Sequence, residues 1–204
     1  MRFFPGLRPI LTLAPAVSAS LLVAGCAAVQ RAGIAVLYEK ATLTEAQIRR
    51  DLAYGPEARH QLDLFIPSGQ RGWPTAIFIH GGSWTSGGKN LLIGGADVYG
   101  NIGRYLASQG IGVAVINYRL QPQVTWRDQV ADAALATAWI HRHIADHGGG
   151  SDQLFLFGHS AGAQLAAYTG LDPAAFVNSG CRLGENTLGH SGGILRSILR
   201  TSSL

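Results

Sequence analysis

Leu154-Phe155-Leu156-Phe157-Gly158-His159-Ser160-Ala161-Gly162 is the stretch on which the fold of this chain turns. A short run of large apolar residues ends in a glycine-flanked serine, and an alanine-rich helical pattern follows at once. Strand, sharp turn and helix in that order build a nucleophile elbow. The serine takes the tip in a strained backbone conformation, small neighbours permit it, and its hydroxyl stands above the sheet edge. The competing reading is an ordinary glycine-containing turn, since G-x-S-x-G occurs by chance. A second glycine-rich loop upstream favours the elbow: Thr75 to Ile79 has the pattern of a buried strand and runs directly into His80-Gly81-Gly82.

Working outward, His60 to Pro67 alternates polar and apolar residues and stops at a proline, which predicts a half-exposed strand. Tyr99 to Gln109 has helical spacing and a stop at Gly110, and Gly112 to Asn117 predicts another buried strand. Arg127 to His147 is a long amphipathic helix closed by Gly148-Gly149-Gly150. Thr44-Glu45-Ala46-Gln47 fits a capping box before a short helix in the connecting segment. Strands alternating with helices predict an α/β fold with an open, mostly parallel sheet covered on both faces, and functional groups in loops at the carboxyl ends of its strands. Both glycine motifs fall there.

The 204 residues fit one domain with enough apolar content for a core, and the net charge of +4 comes from scattered arginines. No basic stripe with interleaved aromatics is present, so nucleic acid is not an expected partner. Arg2 and Arg8 precede an apolar, small-residue run from Ile10 to Ala24, broken by Pro15, which reads as an export signal. Its end, Leu22-Val23-Ala24-Gly25-Cys26, is similar to the lipobox of bacterial lipoproteins, with Val23 where leucine is commonest. An ordinary cleavable signal with Cys26 incidental is the alternative. The division expected is 1–25 signal peptide, 26–50 linker, 51–177 a partial α/β domain and 178–204 an atypical tail. Lipidation of Cys26 implies an exported protein of the bacterial cell envelope, periplasmic or at the outer membrane, tethered to a membrane without spanning it. Cys181 is then a leftover thiol.

Acyl transfer needs a nucleophile, a base and donors for the oxyanion. Ser160 supplies the first. The amide of Ala161, at a helix start, and the loop Gly81-Gly82-Ser83 are placed to supply the donors. His80 more plausibly fixes its loop by hydrogen bonding than acts as the base, and the side chain of His159 should diverge from that of its neighbour Ser160. Trp84 either walls the acyl pocket or packs. His143 and His147 have the spacing of a metal pair, yet no third ligand is evident, and a solvated helix face is the expectation; no metal or cofactor is implied. Gly87-Gly88-Lys89-Asn90 fails as a phosphate loop, because Ser83 stands at the first glycine position and Asn90 replaces the hydroxyl residue.

Together, His80-Gly81-Gly82-Ser83-Trp84, Asn117-Tyr118-Arg119-Leu120, Asp132 and Gly158 to Ala163 resemble the α/β-hydrolase superfamily. Within it the pattern is most similar to the esterase branch of hormone-sensitive-lipase-like carboxylesterases, prenylcysteine methylesterases and kynurenine formamidases, over roughly Leu52 to Asp172. The resemblance implies a three-layer fold, Ser160 as nucleophile, Gly82 or Ser83 with Ala161 as oxyanion donors, a substrate pocket at His80, Gly81, Trp84 and His159, a small-molecule ester as substrate, and a structural role for Asp132.

In that superfamily an Asp or Glu and then a His follow the serine. After Ser160 the acids are Asp172 and Glu185 and the histidine is His190. Asp172-Pro173 reads as a turn, and Glu185 and His190 read as a surface tail with no strand to hold them, so the later strands of the sheet look missing. One reading of the tail is a shifted frame: Ile194-Leu195-Arg196-Ser197-Ile198 can be encoded so that, read one base later, the gene gives F-S-G-P-Y, close to the S-G-P-Y of these esterases. The gene read in that frame should then continue with later Asp and His codons. The expected function is a serine esterase acting through an acyl-enzyme, weak or inactive without a base. The alternatives are a non-catalytic, ligand-binding remnant and an amidase or peptidase with the same nucleophile. The sequence does not set an oligomeric state.

Overall fold

A computed structural model describes residues 47–172, except 70 and 94. Cys26, Cys181, Glu185 and His190, and the expectations attached to them, lie outside the described residues.

Five strands form the main sheet in the order β1-β2-β6-β3-β7: β1 Ile48–Ala53, β2 Gln61–Phe65, β6 Gly112–Ile116, β3 Trp73–Ile79 and β7 Gly149–Gly158. A separate ribbon pairs β4 Leu92–Ile93 with β5 Ala96–Asp97. Three helices follow strands: α1 Val98–Ser108, α2 Trp126–His147 and α3 Ala161–Leu171. Over the described strands the sheet is mixed where a mostly parallel one was expected. The β1/β2 and β2/β6 pairs are antiparallel, and β6/β3 and β3/β7 are parallel.

Strand periodicity sorts the side chains between two layers. Leu62, Leu64, Ile77, Ile79, Ala114, Ile116 and Leu154 meet Ala133, Ile140 and Ile144 of α2 and Leu165 of α3. On the other face Phe65 packs against Gly103 of α1, where a β-carbon would collide with the phenyl ring. Helices therefore cover both faces, as the three-layer expectation requires. Ile77 and Ile79 are fully buried, each contributing about 2 kcal/mol of apolar burial.

Helix ends follow local chemistry. Thr125 and Asp128 cap α2 reciprocally, and Gly148 ends it with φ 102°, in the left-handed region that suits glycine. Asp97 caps α1 by accepting from Gly100 N.

Two expectations are corrected. Instead of a short helix after Thr44 to Gln47, the chain enters β1 at Ile48, because the outer edge of β2 offers a hydrogen-bonding partner that outweighs local helix preference. Similarly, β2 is buried along Leu62 to Phe65 where a half-exposed strand was expected. The polar residue that suggested solvent, Asp63, is buried because Lys89 Nζ lies 2.7 Å from its Oδ1.

Candidate active site

The elbow forms where β7 ends. His159 N donates to Ile79 O at 3.1 Å, one step beyond the β3/β7 ladder, and Ser160 then turns the chain with φ 54° and ψ −119°. A residue with a β-carbon in that conformation costs roughly 1–3 kcal/mol, and the surrounding bonds hold it in place. Gly162 N donates to His159 O at 2.9 Å and Ala163 N to Ser160 O at 3.0 Å. Both motif glycines are demanded by close approach. A β-carbon on Gly158 would sit 2.5 Å from the carbonyl carbon of Gly162, and one on Gly162 would strike the carbonyl oxygens of Ile79 and His80. Ser160 is exposed, its side chain makes no capping bond, and Ala161 opens α3 with an N–H that has no partner within its own helix.

The second loop is anchored by His80. Its ring is fully buried, stacked on Tyr118 at 4.3 Å, with Nδ1 donating to Gly81 O at 2.7 Å. A carbonyl only accepts, so the proton is on Nδ1, and Nε2 faces the Arg59 guanidinium at 3.4 Å as an acceptor. Tyr118 Oη donates to His80 O at 3.0 Å, and Arg59 Nε to Tyr118 O at 2.7 Å. The expectation that His80 fixes its loop thus agrees with the geometry. Beyond it, Gly82 O accepts from Thr85 N, Ser86 N and Ser86 Oγ at 3.1, 3.0 and 2.9 Å, leaving the amides of Gly82 and Ser83 without a backbone acceptor among the described residues. Gly82, Ser83 and Trp84 all have positive φ (127°, 51° and 64°), so the loop is a run of left-handed conformations.

The two motifs meet at Gly81. A β-carbon there would lie 2.8 Å from His159 Nδ1 and 3.3 Å from Ser160 Cβ, so the loop passes directly against the elbow. Beside this contact opens a cavity of about 560 Å³ whose walls include Arg59, Gly82, Tyr99, Asn117 and His159. His159 turns to Tyr99, whose hydroxyl lies 3.1 Å from Nδ1. Trp84 packs against the core, as one of its two expected roles has it, and its carbonyl accepts from Gln129 Nε2 at 2.8 Å and Gln121 N at 3.0 Å.

Arg59, Tyr99 and Lys89 bear on the site, though the motifs do not name them. Lys89 is buried with Nζ 2.8 Å from Asp51 and 2.7 Å from Asp63, and its backbone N donates to Asn117 Oδ1 at 2.6 Å, pinning the far end of the loop. Its place in a failed phosphate motif concealed this. Asp132 lies in α2 and accepts from Arg119 N, Nε and Nη2 at 2.6 to 3.1 Å, so it holds the Asn117 to Leu120 loop, as its expected structural role requires. His143 is stacked on Trp139 and bonded to its carbonyl at 2.7 Å.

Burial first, opposed by the bond to Gly81 and aided by Arg59, lowers the His80 pKa to about 4. In the unfolded chain it titrates near 6.5. As pH falls from about 6.5 to about 4 the unfolded state takes up a proton that the folded state refuses, so stability declines across that window, by of the order of 3 kcal/mol. Urea midpoints measured from pH 7 to pH 4 should fall, and His80→Gln should flatten the slope; an unchanged slope would show that His80 is not the titrating group.

Residues 62–186 match the BD-FAE family. The chain is a member of that family. This BD-FAE chain is also similar to individual curated proteins. It is 42% identical over 130 residues to the "Probable isoprenylcysteine alpha-carbonyl methylesterase ICMEL1" of Oryza sativa subsp. japonica, covering 63% of this chain and 29% of that protein. With Esterase LipQ of Mycobacterium tuberculosis the identity is 37% over 132 residues, covering 61% and 30%. Among solved structures, Esterase B of Lactobacillus rhamnosis inhibited by a tributyrin phosphonate matches with TM-score 0.55 and 28% identity, covering 83% of this chain and 55% of that one. The chain thus spans about three tenths of the length of the curated relatives it matches. The expected α/β-hydrolase fold and esterase kinship both hold.

Proposed function

We propose that this BD-FAE chain is a serine hydrolase that cleaves carboxylic esters of modest size through an acyl-enzyme. The observation that carries the reading is the contact of the Gly81 loop with a serine held at φ 54° on the elbow. Ser160 Oγ attacks the ester carbonyl. The amides of Ala161 and of Gly82 or Ser83 donate hydrogen bonds to the oxyanion as it forms, and because they are fixed beforehand they need no reorganisation. The alcohol leaves, and water then releases the acid and frees the serine. His80, fully buried and bonded to Gly81, is spent on structure. The acid and base permitted by chain order, Glu185 and His190, lie outside the described residues.

An alkyl fluorophosphonate added to the full chain should modify Ser160 alone, read as a single mass increment on the peptide that carries it. Failure to label would overturn the hydrolase reading in favour of a ligand-binding one. Matched esters and amides then separate esterase from amidase: faster turnover of the ester is the expected result.

A further inference from the structure

We propose that Tyr99 and His159 make the cavity select esters that carry a further acceptor oxygen, a hydroxyl, ether or keto group, in the part of the substrate entering it; this rests on the ester-hydrolase reading. The argument is one of proton placement. Gly81 N donates to Tyr99 Oη at 3.4 Å, and the same oxygen lies 3.1 Å from His159 Nδ1. With the amide on one lone pair, the phenolic proton has His159 Nδ1 as its acceptor among the described residues. Burial raises the Tyr99 pKa, so the phenol keeps that proton. Nδ1 is therefore the acceptor nitrogen, and the ring carries its own proton on Nε2.

That Nε2–H has no partner among the described residues, and the exposed ring lines the cavity one residue from Ser160. Tyr99 is itself held, its ring packed 4.8 Å from that of Phe78. The remaining walls reinforce the bias. Arg59 borders the cavity as a cation, no carboxylate lines it among the described residues, and Asn117 Oδ1 is taken by the Lys89 amide. The charge at this wall is thus positive, which favours an acceptor oxygen beside it. A purely alkyl group displaces water from Nε2–H and returns no hydrogen bond, whereas an oxygen at that position restores it.

The test uses the full chain with Ser160→Ala, so that esters bind without turnover, and ¹⁵N-labelled histidine. Two pairs of esters of equal length are titrated, one with a methylene replaced by oxygen in the acyl chain, the other with the replacement in the alcohol. In at least one pair the oxygenated ester should bind about fivefold tighter, as one net hydrogen bond would give, and should shift the His159 Nε2 resonance. The preference should vanish in His159→Phe. Independently of any variant at this position, the unliganded spectrum at alkaline pH should show His159 Nδ1 unprotonated. Equal affinities in both pairs, or a proton on Nδ1, would overturn the proposal. A preference without fluorophosphonate labelling of wild-type Ser160 removes the hydrolase reading and keeps the donor site; labelling without a preference does the reverse.

Discussion

Ser160→Ala is expected to abolish fluorophosphonate labelling and to bring ester turnover to the uncatalysed background while leaving thermal stability nearly unchanged. Alanine keeps the β-carbon, so it keeps the strain of φ 54° and ψ −119° along with every backbone bond of the elbow. Ser160→Gly separates the two effects. It should be equally inactive yet more stable by about 1 kcal/mol, since glycine takes this conformation freely and gives back only part of that gain through a more flexible unfolded chain. Turnover of a chromogenic ester and guanidinium denaturation of the three proteins decide the matter. Retained turnover in Ser160→Ala would remove the nucleophile from the proposed reaction, and a glycine variant less stable than wild type would remove the strain.

Lys89→Met should cost about 3–5 kcal/mol, a fall in melting temperature of roughly 10 °C. The Lys89 side chain is 4% exposed and that of Asp63 3%, so the substitution strands a carboxylate inside the sheet layer. The groups left to Asp63 are Arg50 at 3.5 Å and the Asp51 amide at 2.9 Å. Asp51 itself has φ 55° beside the irregularity in the β1/β2 register, a conformation kept where its carboxylate reaches Lys89. Adding Asp63→Leu to Lys89→Met should regain most of the loss, because the buried charge then goes with its partner. A single variant within about 1 kcal/mol of wild type would show that the cluster is hydrated and the pair weak.

The elbow and the His80 loop were legible in the chain because each is a local device. Gly158 and Gly162 are required by backbone contacts within a few residues of one another or with the neighbouring strand. The long helix was equally legible over Arg127 to His147 with its stop at Gly148, since that cap is local chemistry; the structure adds Trp126 and the Thr125 cap. β1 was not. Ile48–Ala53 has no strong strand pattern and is a strand because the edge of β2 is there to pair with it. Lys89 shows the same limit at the site. It resembles part of a failed phosphate motif, until a distant partner, Asp63 on β2, determines where it goes.

What the residues of this chain dictate unaided is the pair of glycine motifs, their order, and the serine between Gly158 and Gly162. Spacing and the absence of side chains are enough for that. The tertiary structure alone decided that Gly81 stops against Ser160, that the phenol of Tyr99 reaches His159 across sixty positions, and that a cavity of about 560 Å³ opens beside them. Those contacts join segments far apart in the sequence, so they exist only once β3 and β7 lie parallel in one sheet with their carboxyl ends on the same edge.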